Sequence, residues 1–285
     1  MSLRRRTGIA LVAAVIAVSA VVVAMGLQSA VATPIERQTV VHLPVQALRE
    51  HPMRIALVSD IHVGNRAMTV ERLNRIIDQI NAARPDAVLI TGDFVNGGSH
   101  KSHDFHPELL AVPLARLRAP MGVYATLGNH DHWTDATRTM VALRTAGIIV
   151  LTNEARRIGA VTLVGIDDSF SKHAAIANAM AAAKALGGVP VVFTHSPDIA
   201  PQLPPDVPLL LAGHTHCGQI VLPLIGPPVT RSPRSGEQIY NPRYRCGVVH
   251  DATRTVIVTG GVGSGTIPIR IGAPPDWWLV TLTGT

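Results

Sequence analysis

The sequence predicts an α/β core followed by a second sheet. Short apolar runs bounded by turn residues recur from Ile55 onward, the pattern of buried strands. Segments with helical apolar spacing alternate with them, which implies an α/β arrangement. After Gln219 no helical spacing is evident, yet further strand-like runs follow. The 285 residues suffice for one large domain or two small ones, and no internal repeat or clear boundary interrupts residues 54–285.

Residues 1–32 form an apolar leader. Arg4, Arg5 and Arg6 precede an uncharged run from 7 to 35, and 9–27 is apolar apart from Ser19 and Gly26. As a helix rising about 1.5 Å per residue, 9–27 is about 28 Å long, close to the ~30 Å of a bilayer core. The arginines should stay cytoplasmic and send the rest across. Ala30-Val31-Ala32 also has the small-x-small form of a signal-peptidase site. An uncleaved transmembrane anchor and a cleaved, secreted form are both open. Arg5-Arg6 begins a twin-arginine pattern without the bulky pair that usually follows. Every reading puts the body at or beyond the membrane, with an extracytoplasmic catalytic domain.

Residues 33–53 read as a linker, broken by Pro34, Pro44 and Pro52. Strands follow at 55–59, 87–91 and 123–127. Helices lie at 70–83, 107–118 and 134–146, the last with Thr134 or Asp135 at its cap. Shorter strands come at 148–151 and 161–165, with a turn at Ile158-Gly159. An Ala-rich helix at 174–186 ends on Gly187-Gly188. Strands at 189–194, 208–212, 256–259 and 277–283 complete the body.

Composition narrows the function. Hydrophobic residues at 47% and charged residues at 15% rule out wholesale disorder. Aromatics at 4% exclude a stacking platform for single-stranded nucleic acid. Two cysteines exclude a disulfide scaffold or Cys-rich zinc module. The net charge of +6 falls to +3 once the leader's three arginines are set aside, with 22 basic and 19 acidic residues left. That mild balance argues against a nucleic-acid partner. Thirteen histidines beside only three lysines point to a site.

Polar residues cluster just after five strands: Ser59-Asp60-Ile61-His62, Gly92-Asp93, Gly128-Asn129-His130-Asp131, His195, and Gly213-His214-Thr215-His216. Ligand sites of open α/β sheets gather outside the carboxyl ends of strands. Carboxylates, an amide and imidazoles suit borderline divalent metals. Asp60 and His62 are two apart, so on an extended chain they share a face; His214 and His216 repeat the spacing. Asp93 has two oxygens with which to bridge two ions. Glycines 92, 128 and 213 allow sharp turns and close approach. Two ions about 3.5–4 Å apart activate water and neutralise phosphoryl oxygens.

The ordered set SDIH, GD, GNHD, THSPD and GHTH resembles the calcineurin-like metallophosphoesterase superfamily. The tail GHTHCGQIVLP, the 244–247 stretch and GGVGSGTIPIRIGAPPDWWLVTL, with the apolar leader, are similar to its membrane-associated YaeI/YkuE-like branch. The resemblance covers about residues 54–283. It implies a four-layer αββα sandwich of two mixed sheets. It implies two divalent ions, Mn²⁺ favoured and Zn²⁺ or Fe²⁺ as alternatives. Asp60, His62 and His216 would hold the first ion, Asn129, His195 and His214 the second, with Asp93 between. His130 would face the phosphate, stabilising it or protonating the leaving oxygen, and Asp131 would orient His130. The nucleophile implied is a metal-bound hydroxide.

The expected activity is hydrolysis of a phosphodiester or pyrophosphate, on a lipid-linked substrate of the UDP-diacylglucosamine or phospholipid type. Which of the two applies depends on the side of the membrane the domain faces, since an outward domain could not reach a cytosolic nucleotide-lipid. The alternatives are a metal-bound recognition scaffold without turnover, or a phosphomonoesterase or nuclease on the same fold; the complete set of matched positions speaks against the scaffold.

Other residues are weighed singly. His100, His103 and His106 read as a solvated loop, with a cleft-lining role as the sharper alternative. His132 reads as structural and Asp167-Asp168 as a turn or helix cap. Cys217 and Cys246 are an even pair outside the cytosol, expected to bond each other beside His216; a free Cys217 thiol is the rival. Cys217 stands where the branch often has glycine, and Asp276 where it commonly has glutamate. Arg231, Arg234, Arg243 and Arg245 are either phosphate-binding or solvated loop arginines. Trp277-Trp278 reads as one buried and one exposed ring, or as a membrane-interface anchor.

Overall fold

Successive side chains of a strand point to opposite faces, and here the central strands of both sheets are covered on both faces. The computed structural model describes residues 3–97, 106–232 and 236–285. The leader is a helix, α1 (Leu3–Val31), followed by β1 (Ile35–Leu43), α2 (Ala47–Glu50), β2 (Met53–Val58), α3 (Val70–Ala82) and β3 (Ala87–Thr91). Next come α4 (Ala111–Leu114), β4 (Val123–Thr126), α5 (Asn129–Thr134), α6 (Ala136–Thr145) and β5 (Ile149–Val150). The second half holds β6 (Glu154–Ile158), β7 (Val161–Gly165), α7 (Ile176–Leu186), β8 (Val189–Phe193), β9 (Leu209–Ala212), β10 (Gly247–His250), β11 (Thr255–Val258) and β12 (Asp276–Gly284).

The strands form two six-stranded mixed sheets, in the orders β1-β12-β2-β3-β4-β5 and β10-β11-β9-β8-β7-β6. Ile55 and Leu57 of β2 face the middle of the molecule, where they pack with Leu163, Phe193 and Leu211 of the second sheet. Ala56 and Val58 face outward, against Leu73, Ile76, Ile77 and Ile80 of α3. On the far side Val164, Val192 and Leu210 pack against Ala179 and Ala183 of α7. The layers are therefore helix, sheet, sheet, helix. β2, β3 and β4 run parallel, as do β8 and β9. Their carboxyl ends carry all five motifs.

α3 shows why local sequence suffices for some elements. Thr69 accepts from Arg72 N at its start, an N-cap, and its apolar stripe recurs at helical spacing. Asp135 does the same for α6 through Arg138 N.

Three expectations are corrected. The linker 33–53 contains β1, which lies parallel to β12 from Ile35↔Asp276 to Leu43↔Gly284. The helix expected over 107–118 is a 3₁₀ turn, Pro107–Leu110, and the short α4. Pro113 has no N–H to extend it. Trp277 and Trp278 are both buried. Strand β12 lies inside its sheet, so Trp277 meets the α3 layer and Trp278 the layer between the sheets.

α1 contains one stretch, Thr7–Val31, long and apolar enough to cross a membrane by length and composition. Its carboxyl end rests on the body. Arg72 is buried and donates to the carbonyls of Val31, Ala32 and Val262 at 3.2, 2.9 and 2.9 Å.

Candidate functional site

The five strand-end motifs fold into one pocket. Asp60, His62 and His216 bring ligand atoms within 4.8 Å of one another, and so do Asp60, Asp93 and His195. His62 Nε2 lies 3.1 Å from His216 Nε2. His195 Nε2 lies 3.1 Å from both Asn129 Oδ1 and His214 Nδ1. All seven residues expected as metal ligands thus meet.

The backbone is strained to achieve this. Asp60, His62, Asp93, His214 and His216 all adopt positive φ, between 49° and 68°. Left-handed non-glycine residues cost about 1–3 kcal/mol each and cluster at functional sites. Gly92, at φ +83°, serves the same turn. Gly128 and Gly213 are needed for space instead, because a Cβ on the first would collide with Asp93 and on the second with Ser59.

Each carboxylate divides its work. Asp60 Oδ2 accepts from His214 N at 3.0 Å, while its Oδ1 has no hydrogen-bond partner and lies 3.3 Å from His216 Nε2. Asp93 Oδ1 accepts from His130 N at 2.8 Å. Its Oδ2 lies between the two histidine groups, 3.5 Å from His62 Nε2 and 3.3 Å from His195 Nε2.

Carbonyl partners fix the protons on the rings, because a carbonyl oxygen only accepts. His195 Nδ1 donates to Thr91 O at 2.7 Å, and His214 Nε2 donates to Ile239 O at 2.9 Å. In their neutral forms both rings turn a lone pair inward. His195 Nε2, His214 Nδ1, Asn129 Oδ1 and Asp93 Oδ2 then form a cluster of acceptors. Such a cluster is repulsive unless a positive charge sits in it, so the residues fit a cation. The fields agree. Burial opposes a proton on His195, yet the Asp93 carboxylate wins and raises the ring well above the ordinary histidine range. Burial likewise opposes ionisation of Asp60, but His216 and His62 hold its carboxyl below the usual range.

His130 sits at the pocket rim, half-buried, its ring edge-on to His62 at 4.9 Å. Its Nδ1 is bonded to the Gly97 carbonyl. Burial lowers this ring to about 4 against the pull of Asp93. Asp131 does not orient His130, contrary to expectation. Its Oδ1 accepts from Phe94 N at 3.0 Å and its Oδ2 from Gly128 N at 2.8 Å. The two are successive residues of α5, so their side chains diverge by about 100° around the helix. Asp131 instead clasps the turn after β3 to the turn after β4. Burial and the nearby Asp93 charge push its carboxyl well above the usual range.

Other expectations resolve plainly. Cys217 and Cys246 are bonded, with Cα atoms 4.8 Å apart. Asp167-Asp168 forms a turn, Asp168 Oδ2 accepting from Ser171 N at 2.5 Å. His132 is structural, bonded to Asp167 at 2.8 Å and stacked on His173 at 3.7 Å. Asp276 is buried and ties β1 to the tail through Arg37 at 2.6 Å. Arg243 pairs with Asp251, and Arg231 donates to Gly236 O. His106 is exposed; His100, His103 and Arg234 lie outside the described residues.

Two residues escaped the sequence reading. Arg270 is fully buried, and its Nη2 lies 3.0 Å from His216 Nδ1 while its guanidinium also bonds the Gly260, Gly263 and Ala273 carbonyls. Burial lowers it to about 10, and burial together with its charge keeps His216 well below the usual histidine range. Asn65 donates to the carbonyls of Ser264 and Gly265 at 3.1 and 2.6 Å. A lone arginine in the apolar run Thr266-Ile267-Pro268-Ile269-Arg270-Ile271 was the available signal, since a buried charge needs partners. Trp133 and Phe170 complete the wall, Phe170 lying 4.7 Å from His214. The cavity in front of Asp93, Asn129 and His130 holds about 370 Å³, and an adjoining apolar one between His216, Ile220, Val229 and Ile267 about 270 Å³.

Known proteins share this organisation. YkuE of Bacillus subtilis, described as an uncharacterized metallophosphoesterase, is 31% identical over 243 residues, covering 81% of this chain and 79% of its own length. Phosphodiesterase YaeI of Escherichia coli is 29% identical over 241 residues, covering 81% and 82%. A transmembrane protein with metallophosphoesterase domain from Danio rerio is 30% identical over 289 residues; the match covers 94% of this chain and 61% of that longer protein. The profile of the calcineurin-like phosphoesterases matches residues 53–218, more than half of the chain and all five motifs. The chain therefore belongs to the calcineurin-like phosphoesterase family and is a metallophosphoesterase, a hydrolase.

Proposed function

We propose that the chain hydrolyses a phosphodiester or pyrophosphate bond in a lipid-linked substrate, with two divalent ions, while α1 holds it on the outer side of a membrane. The inward-facing acceptors of His195, His214, Asn129 and Asp93 carry the reading. Asp60, His62 and His216 would hold one ion, Asn129, His195 and His214 the other, and Asp93 would serve both. Bound there, Mn²⁺, Zn²⁺ or Fe²⁺ supplies charge neutralisation at the phosphoryl oxygens and lowers the pKa of water.

The chain's own groups do the rest. Gly97 fixes the His130 ring and leaves Nε2 for the substrate. The neutral ring presents a lone pair there. It donates to a leaving oxygen only after taking up a second proton, which an anionic phosphate beside it favours. Trp133 and Phe170 limit water at one wall. The apolar cavity beside His216 supports an acyl-bearing substrate. The relatives point the same way: one is named a phosphodiesterase and another a transmembrane protein.

The test is hydrolysis by Mn²⁺-loaded full chain in detergent. Bis-p-nitrophenyl phosphate and a phospholipid diester should be cleaved faster than p-nitrophenyl phosphate. A preference for the monoester, or loss of no activity on chelation, would overturn the reading.

A further inference from the structure

The hairpin that follows the GHTH motif is built unlike the rest of the surface. Leu222 and Gly226 exchange both backbone hydrogen bonds, at 3.0 and 2.9 Å, so that Pro223, Leu224 and Ile225 form the tip. Leu224 is fully exposed and Ile225 is 75% exposed. Among the described residues no large apolar side chain is more exposed than Leu224, those of α1 included. No charged residue occurs from 219 to 230, and Arg231 follows, exposed. Val229 and Ile267, at 57% and 53% exposure, extend the apolar surface to the rim of the cavity beside His216.

The hairpin is joined to α1 by a short chain of contacts. Ile271 bridges Ile220, donating to Gln219 O at 3.0 Å and accepting from Val221 N at 2.8 Å. Arg270 N donates to Gly26 O at 3.0 Å, and a Cβ at Gly26 would come within 2.6 Å of Ile269 Cγ2. The helix therefore touches the body at Gly26. From Thr7 to Met25 the helix is about 28 Å long at about 1.5 Å per residue, which fills the ~30 Å of a hydrocarbon core. The membrane surface then falls at Gly26, beside the Ile269–Ile271 segment and one bridge away from the hairpin.

We propose that the 222–226 hairpin is a second membrane contact, its Leu224-Ile225 tip entering the outer leaflet beside α1. The occupant of this apolar surface is the bilayer, and the inference rests on the reading of α1 as a membrane span. An apolar tip beside an arginine suits the boundary between acyl chains and head groups. Two contacts hold the body against rotation about α1 and keep the rim formed by Val229 and Ile267 at the lipid surface. A substrate then reaches the cavity without leaving the leaflet entirely.

Both native cysteines are in the disulfide, so an introduced cysteine is the one free thiol under non-reducing conditions. The full chain carrying Leu224→Cys, labelled with an environment-sensitive dye, is reconstituted in phosphatidylethanolamine–phosphatidylglycerol vesicles containing a lipid nitroxide high on the acyl chain. Val15→Cys in α1 and Leu186→Cys at the end of α7 are labelled in parallel. The expected result is blue-shifted emission and loss of most intensity to the nitroxide at 224 and a blue shift at 15, with neither change at 186. Emission at 224 matching 186 while 15 is in lipid overturns the hairpin contact and leaves the span standing. Solvent-like emission at both 15 and 224 overturns both.

Discussion

Replacing Asp93 by asparagine keeps the shape of the side chain and removes its charge. Oδ1 holds His130 N at 2.8 Å, and an amide oxygen can keep that bond. At the other position a donor replaces an acceptor, facing His62 and His195 where Oδ2 stood 3.5 and 3.3 Å away. Opposite unit charges about 4 Å apart attract by about 4 kcal/mol at an effective dielectric of about 20, and a divalent ion doubles this. Desolvation offsets part of it. If half survives, about 4 kcal/mol, ion uptake weakens by about a thousandfold. Equilibrium dialysis against Mn²⁺ with metal analysis measures this directly. Thermal unfolding checks it, because Mn²⁺ at 100 times its Kd should stabilise the unsubstituted chain by about 2.7 kcal/mol per bound ion and Asp93→Asn hardly at all. A natively folded Asp93→Asn chain with unchanged ion number and affinity would refute the assignment of the pocket.

Three further outcomes follow from the same geometry. His130→Ala should retain both ions and lose about 10²- to 10⁴-fold in turnover; loss of the ions with the ring would move His130 into the ligand set. Binding of Mn²⁺ should release protons and strengthen as pH rises, read by titration calorimetry in buffers of different ionisation enthalpy, since His195 is raised by Asp93 and holds a proton that the ion must displace. The sign for stability is opposite: a raised histidine stabilises the ion-free fold fully below its unfolded value near 6.5 and loses that contribution as pH passes the folded value. Cys246→Ser should lower the unfolding midpoint, because a crosslink across 29 residues contributes about 3–4 kcal/mol in the chain-entropy account; titration of the denatured, unreduced parent should find no free thiol.

What sequence could reveal followed from how local each cause is. β2, β3 and β4 are short runs buried on both faces, and each ends in a turn whose residue types name its chemistry. β1 was hidden because its polar Glu36, Arg37 and Gln38 resemble a connecting stretch, while its partner lies at the far end of the chain. The tryptophan pair departs from expectation for a related reason. Alternation on a strand says that the rings face opposite ways, and only the layers on each side decide that both are buried. His130 and Asp131 invert the error: adjacency in sequence places them on diverging faces of α5, so the nearer-looking pair does not meet.

The site is finished by a segment beyond the family profile, which stops at residue 218. Five left-handed non-glycine residues do not persist unless their surroundings over-determine them. The tail supplies much of that constraint. Val262 N donates to Ser59 O at 3.0 Å and Gly263 N to Asp60 O at 2.7 Å, so the 260–265 loop wraps the first motif. A Cβ on Gly263 would collide with the Ile61 carbonyl, which is why the wrap needs glycine there. Arg270 then ties this loop to His216, and the disulfide fixes the residue next to His216 from the other side. Asp276 holds the end of the loop through Gly260 N at 2.7 Å and fastens it to β1 through Arg37. Farther along the tail, Arg270 N donates to Gly26 O of α1 at 3.0 Å. Strain at the motif residues, the tail that contains it and α1 are therefore one connected structure, and a change in Arg270 should be felt at both of its ends.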